Sequence, residues 1–149
     1  MIHQFYPQVP HEYRYELNKD MQLAAAHFIP AAAAGKCANV HGHTYVINVT
    51  IAGDKLDQTG FLVDFKTIKE IVHDRFDHSL LNEDNAFAEK ENGDPETFPT
   101  TEVVARTIWE TIQRELDERM NQPRCLQVLV RETPTSYVVY RAREGDFTQ

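Results

Sequence analysis

The side chains with the clearest chemical potential cluster in Cys37-Ala38-Asn39-Val40-His41-Gly42-His43-Thr44. A His-x-His pair entering a strand puts both imidazoles on one face, because side chains alternate with period two. Two imidazoles on one face suit Zn²⁺, which takes nitrogen ligands at about 2.0–2.1 Å. Gly42 between them is expected to let the backbone pass close to such a site. Two ordinary surface histidines at a strand start would present the same pattern, and with seven histidines in 149 residues such pairs arise by chance.

His27 changes the weighing. It closes an earlier strand on the apolar-patterned face, where a lone histidine is usually a core residue satisfied by its neighbours. Three converging histidines without a fourth ligand match a catalytic zinc site, which keeps one position open. Cys37 as a fourth ligand would instead close the site and make it structural, and His41 follows near enough to permit that.

Two further groups carry chemistry. Asp77-His78 sets a carboxylate beside an imidazole, an arrangement that raises basicity and orients a proton-transfer group. A polar helix C-terminus, where a histidine complements the macrodipole, accounts for the same residues. Glu132 ends an otherwise apolar strand and could accept paired hydrogen bonds from an amidine-like N–H edge, or pair with Arg131 or Arg141.

The elements that must position these groups follow from periodicity. Tyr13, Tyr15, Leu17, Met21, Leu23, Ala25 and His27 alternate as in a strand, with Asn18-Lys19-Asp20 read as a bulge or turn. Pro30 ends it, and a loop from Ala31 to Val40 follows, in which Ala31 to Ala34 could form a helical turn. A second strand starts near His43, with Tyr45, Ile47, Val49 and Ile51 on one face. Asp64 caps a helix striped by Phe65, Ile68, Ile71, Val72 and Phe76. A long polar loop from Asn82 to Pro99 leads to a second helix from about Thr101, carrying Ala105, Ile108, Trp109, Ile112 and Leu116 and closed by Asn121-Gln122-Pro123. Two strands, Cys125 to Glu132 and Ser136 to Arg143, end the chain. The order β-β-α-α-β-β predicts an α+β fold: an antiparallel four-stranded sheet with two helices on one face. The other face must be solvated or buried by another subunit. Residues 1–12 read as an irregular extension, and 13–149 as a single domain.

Composition narrows the partners. The net charge is −8 and no stretch concentrates Lys and Arg, which argues against nucleic acid. No apolar run approaches the roughly 20 residues needed to span a bilayer. The first residues lack the basic and apolar segments of a signal peptide, so a cytoplasmic protein is expected. Two cysteines, Cys37 and Cys125, are too few for a disulfide scaffold.

Six motifs in order resemble the 6-pyruvoyl-tetrahydropterin synthase family, which includes 6-carboxytetrahydropterin synthases. They are Ala26-His27-Phe28, the Cys-x-x-x-His-Gly-His block, Val63-Asp64-Phe65, Phe76-Asp77-His78, Pro99-Thr100-Thr101-Glu102 and Arg131-Glu132-Thr133. The resemblance runs from Tyr13 to Arg143 and implies the tunnelling fold (T-fold), with sheets joined side by side in a homohexamer. It implies Zn²⁺ on His27, His41 and His43, Cys37 as general base with its thiolate favoured by the metal charge, and His78 supported by Asp77 as second proton-transfer group, reaching the site from a neighbouring subunit. Glu132 would anchor the pterin N–H edge, with Thr100 and Thr101 lining the pocket. The implied substrate is 7,8-dihydroneopterin triphosphate. Val103 stands where relatives often carry Asn, a departure beside Glu102. Three residues separate Cys37 from His-Gly-His, the spacing of the carboxy-type enzymes of queuosine biosynthesis rather than the pyruvoyl type. A pyruvoyl-type triphosphate lyase, a non-catalytic zinc- or pterin-binding T-fold protein and a dihydroneopterin aldolase are the rival readings.

Overall fold

The computed structural model describes residues 6–87 and 93–147. Strands β1 (Tyr15–His27) and β2 (His41–Gly53) pair antiparallel along their full length, from Tyr15 opposite Gly53 to His27 opposite His41. Asn18-Lys19-Asp20 is therefore neither bulge nor turn. Its polar side chains stay in the ladder because cross-strand partners satisfy them: Thr50 Oγ1 donates to Asn18 Oδ1 at 2.9 Å and Asn48 Nδ2 to Asp20 Oδ1 at 2.9 Å.

The loop after β1 does carry a helical turn, a 3₁₀ segment over Ala32–Ala38. Gly35 divides it at φ 63°, ψ −126°, a left-handed conformation that side chains with a Cβ rarely adopt. Asp64 caps α1 (Phe65–Phe76) by accepting from Lys66 N–H at 2.9 Å, and Thr100 caps α2 (Thr101–Asp117) by accepting from Val103 N–H at 3.2 Å. Strands β4 (Arg124–Thr133) and β5 (Ser136–Arg141) complete the antiparallel part. The expected four-stranded antiparallel sheet gains a fifth, parallel member. The two-residue β3 (Ser79–Leu80) pairs with Ala25 and Ala26, giving the order β3-β1-β2-β4-β5. Two residues are too short to leave a periodic signal.

Both α-helices cover one sheet face. Leu23, Tyr45, Ile47 and Ile51 of the sheet meet Ile68 and Val72 of α1 and Ile108, Ile112 and Leu116 of α2, all fully buried. Each such side chain contributes about 1.5–3 kcal/mol of burial free energy. Trp109 Nε1 donates to Cys125 O at 2.7 Å, tying α2 to β4. The opposite face is polar and partly covered by the chain itself: Gln127 Nε2 donates to Pro7 O at 2.8 Å and Tyr6 O–H to Asp20 Oδ1 at 2.7 Å. Residues 1–5 of the expected extension lie outside the described residues. Among the described residues no helix is long and apolar enough to cross a membrane.

Candidate metal centre

Strand parity assembles the site. His27, His41 and His43 share the odd register of Leu23, Tyr45 and Ile47, so all three face the helix-covered side. On β4, Glu132 continues the alternation of the buried Val128 and Val130, one residue beyond the Val46–Arg131 pair. One donor atom from each of His27, His41, His43 and Glu132 lies within 4.8 Å of the others.

The hydrogen bonds define the rings' protonation. His27 Nδ1 is 2.6 Å from Pro99 O, and His41 Nδ1 is 2.7 Å from Asn39 O. A carbonyl only accepts, so each Nδ1 carries a proton, and in the neutral ring Nε2 then presents a lone pair. Those two Nε2 atoms are 2.9 Å apart. Two lone pairs at that separation repel unless a proton or a cation lies between them. His43 Nε2 is buried with no aligned hydrogen-bond partner, although Glu132 Oε1 stands 3.1 Å from it. Glu132 Oε1 is also 3.6 Å from His27 Nε2. Ligands about 2.1 Å from a tetrahedral Zn²⁺ are roughly 3.4 Å from one another, so the donors fit such an ion. Burial pushes the His27 imidazole below its ordinary range, and His41 and His43 add to that, while the Pro99 carbonyl and Glu132 oppose it. The net effect favours the neutral, metal-binding form. Tyr45, fully buried, closes the floor with its hydroxyl 3.4 Å from His27 Nδ1.

Glu132 pairs with neither arginine that the sequence offers it. Its carboxylate turns to the imidazoles, not to Arg131, which lies over the Tyr137 ring, nor to Arg141, which donates to Gln127 Oε1 at 3.0 Å. A carboxylate two positions past Val130 joins the three imidazoles, an approach legible only once β4 has a register. Gly42 also differs: a Cβ there would meet nothing nearer than Ala25 O at 3.8 Å, so close backbone passage is not why glycine stands there.

Cys37 lies outside the four-donor cluster, exposed in the 3₁₀ segment, and its carbonyl accepts from Ile29 N–H at 2.8 Å. A closed Cys-His₃ arrangement is thus absent among the described residues. Asp77 and His78 follow α1. Asp77 Oδ1 accepts from Ala24 N–H at 3.0 Å, and Oδ2 lies 3.6 Å from both His78 Nε2 and His73 Nδ1. The i,i+4 spacing of His73 and Asp77 is a helix-face signal that sequence reasoning passed over. His78 holds φ 56°, uncommon for a residue with a side chain, and its ring is 83% exposed. That ring borders a 550 Å³ depression at the β1–β3 edge, lined also by Ala24, Ala26, Gly42, Thr44 and His43. His78 is not among the donors that converge at the imidazole cluster, although it borders the same depression as His43. Thr100 and Thr101 open α2, immediately after the Pro99 carbonyl that orients His27.

An α+β chain of order β-β-α-β-α-β-β, whose paired strands bring three imidazoles and a carboxylate to one point, has the T-fold of the tetrahydropterin synthases. The chain belongs to the 6-pyruvoyl tetrahydropterin synthase family, whose model matches residues 16–143. It is 54% identical over 145 residues to the 6-carboxy-5,6,7,8-tetrahydropterin synthase of Bacillus subtilis (strain 168), covering 97% of each chain. It is 33% identical to the 6-pyruvoyl tetrahydrobiopterin synthase of Dictyostelium discoideum, over 72% of this chain and 74% of that one. The structure of Caenorhabditis elegans 6-pyruvoyl tetrahydropterin synthase superposes with a TM-score of 0.67 at 26% identity, covering 87% of this chain and 96% of that one.

Proposed function

We propose that this protein converts 7,8-dihydroneopterin triphosphate and water to 6-carboxy-5,6,7,8-tetrahydropterin, acetaldehyde and triphosphate, a zinc-dependent lyase step of queuosine biosynthesis in the cytoplasm. The observation that carries it is the close approach of the His27 and His41 Nε2 atoms, 2.9 Å apart, with His43 completing the cluster. The carboxy product is supported by the three-residue step from Cys37 to His-Gly-His and by the name of the 54%-identical relative. Unpaired Cys37 and Cys125 suit a reducing compartment.

Zinc on His27, His41 and His43 would supply Lewis-acid polarisation of the substrate side-chain oxygens and stabilise enolate-like charge. The remaining chemistry belongs to the chain. Cys37, exposed on the turn clasped to Ile29, takes the carbon-bound proton as general base. His78 returns a proton, supported by the Asp77 carboxylate 3.6 Å away, which itself accepts from Ala24 N–H. Glu132 accepts from the pterin N–H edge, and Thr100 and Thr101 line that pocket from the start of α2. No redox cofactor is required, because the ring is reduced at the expense of the side chain.

The exposure of His78, outside the donor cluster, supports a composite site, in which His78 and Asp77 of one subunit serve the imidazoles of the next within a homohexamer. The deciding experiment incubates zinc-loaded protein with 7,8-dihydroneopterin triphosphate and identifies the products by mass spectrometry. Acetaldehyde with 6-carboxy-tetrahydropterin is expected. Accumulation of 6-pyruvoyl-tetrahydropterin without acetaldehyde overturns the product, and binding without turnover overturns the enzyme.

A further inference from the structure

We propose that Asn82 is the positioning residue of this centre: its side chain holds the exit of β1 so that His27 and the Cys37 turn keep a common frame. Asn82 sits in the 3₁₀ turn Leu81–Glu83 that follows β3, with only 1% of its surface exposed. Its Oδ1 accepts from Phe28 N–H at 3.0 Å, and its Nδ2 donates to Phe28 C=O at 2.9 Å. That reciprocal pair is what a neighbouring strand would offer to one residue.

The location explains why a side chain is needed there. The β1–β2 ladder ends with His27 opposite His41, so β2 gives Phe28 no partner. On the other edge, β3 pairs with Ala25 and Ala26, and the same register would bring residue 82 beside Phe28. By then the backbone has turned into the 3₁₀ segment, and the Asn82 amide takes over the strand's hydrogen bonds. His27 is thereby fixed on both flanks, by the ladder at Ala26 and by Asn82 at Phe28.

Phe28 also leads to the thiol. The next residue, Ile29, donates its N–H to Cys37 O at 2.8 Å. One clamped residue therefore links the imidazole of His27 to the turn that presents Cys37. An amide supplies both a donor and an acceptor at this reach; a carboxylate in its place would set an oxygen against the Phe28 carbonyl. Groups that orient metal ligands from behind typically alter affinity about 10–100-fold when removed.

This inference rests on the reading that the imidazoles hold zinc, and the test separates the two. Metal-free wild type, Asn82→Asp and Asn82→Ser are titrated with Zn²⁺ against a chromophoric chelator and with Co²⁺ by visible absorption. The rate of Cys37 modification by a disulfide reagent is followed in the same samples. Both variants are expected to bind zinc about 10–100-fold more weakly, to shift the Co²⁺ bands, and to change the Cys37 modification rate several-fold. Ile112→Val, remote in the α2 core, lowers the melting temperature and should move none of these. Asn82 variants that melt earlier yet match wild type in zinc affinity, Co²⁺ spectrum and Cys37 rate would reduce Asn82 to a packing residue and overturn the proposal. Wild type that binds neither ion would instead overturn the metal reading, and the Cys37 rate then decides the clamp alone. Should Asn82→Asp fail to fold, Asn82→Ser carries the comparison.

Discussion

His27 and His41 meet across the last rung of the β1–β2 ladder with their Nε2 atoms 2.9 Å apart, and each Nδ1 is bonded to a backbone carbonyl. That contact is unfavourable between two neutral rings and favourable around a cation. Purified protein should contain about one zinc per chain, measured by elemental mass spectrometry. Replacing His27, His41 or His43 by Ala should remove most of it and abolish turnover. Chelation should lower the melting temperature, because a ligand at 1,000-fold its Kd stabilises a fold by about 4 kcal/mol. Full zinc occupancy in the triple variant would end the assignment.

Cys37 stands outside the donor cluster, whereas Cys125 is fully buried and its thiol is pushed well above the ordinary cysteine range by that burial. Iodoacetamide should therefore label Cys37 and spare Cys125 until the protein unfolds, as read by peptide mass spectrometry. Cys37→Ala should keep its zinc and its substrate affinity while turnover falls about 10²–10⁴-fold, the usual contribution of a general base. Loss of zinc from that variant would make Cys37 a structural ligand instead.

Parity made much of this readable in advance. The odd-numbered apolar run ending in His27 and the His-x-His entering β2 required only that the two strands pair, and they pair end to end. What escaped were contacts made by backbone atoms or by side chains far apart in sequence. The Pro99 carbonyl on His27 comes from 72 residues away and leaves no trace in residue type. Glu132 could be read as a pterin anchor, but its approach to the imidazoles depends on the β2–β4 register and on the irregularity between Arg131 and Thr133. Asn18-Lys19-Asp20 has the composition of a break yet continues the strand, because Asn48 and Thr50 on the neighbouring strand satisfy two of its side chains.

The Arg75–Asp84 pair fixes the end of α1 to the turn beyond β3, through Nε at 2.8 Å and Nη2 at 2.7 Å, and Arg75 Nη1 reaches Thr111 of α2 at 2.9 Å. Hydrogen bonds from Arg75 hold the Asp84 carboxyl below the usual carboxylate range. A depressed folded-state value stabilises the protein above the unfolded carboxyl's pKa of about 3.9, and that stabilisation is lost as the pH falls further. Asp84→Asn should cost about 1–3 kcal/mol at neutral pH by chemical denaturation. The difference between variant and wild type should shrink as the pH is lowered from 5 to about 3. An unchanged difference across that window would show that the pair's charge contributes nothing.

The separation of His78 from the imidazoles within one chain leads to the most discriminating prediction. His78 is 83% exposed and stands outside the donor cluster, so in a composite site it serves the centre of another copy. Light scattering should find a hexamer. Cys37→Ala and His78→Ala should each be nearly inactive as pure assemblies. Dissociated together in mild denaturant and reassembled, they should regain activity, because some interfaces then pair an intact Cys37 with an intact His78. In random mixtures at equal ratio about one quarter of the interfaces pair two wild-type groups, so recovery should approach that fraction of wild type. A site built within a single chain predicts no recovery at any ratio, since every copy then lacks one of the two groups. Recovery that grows with the extent of subunit exchange would place the two groups on different chains, and its absence in verified mixed hexamers would place them on one.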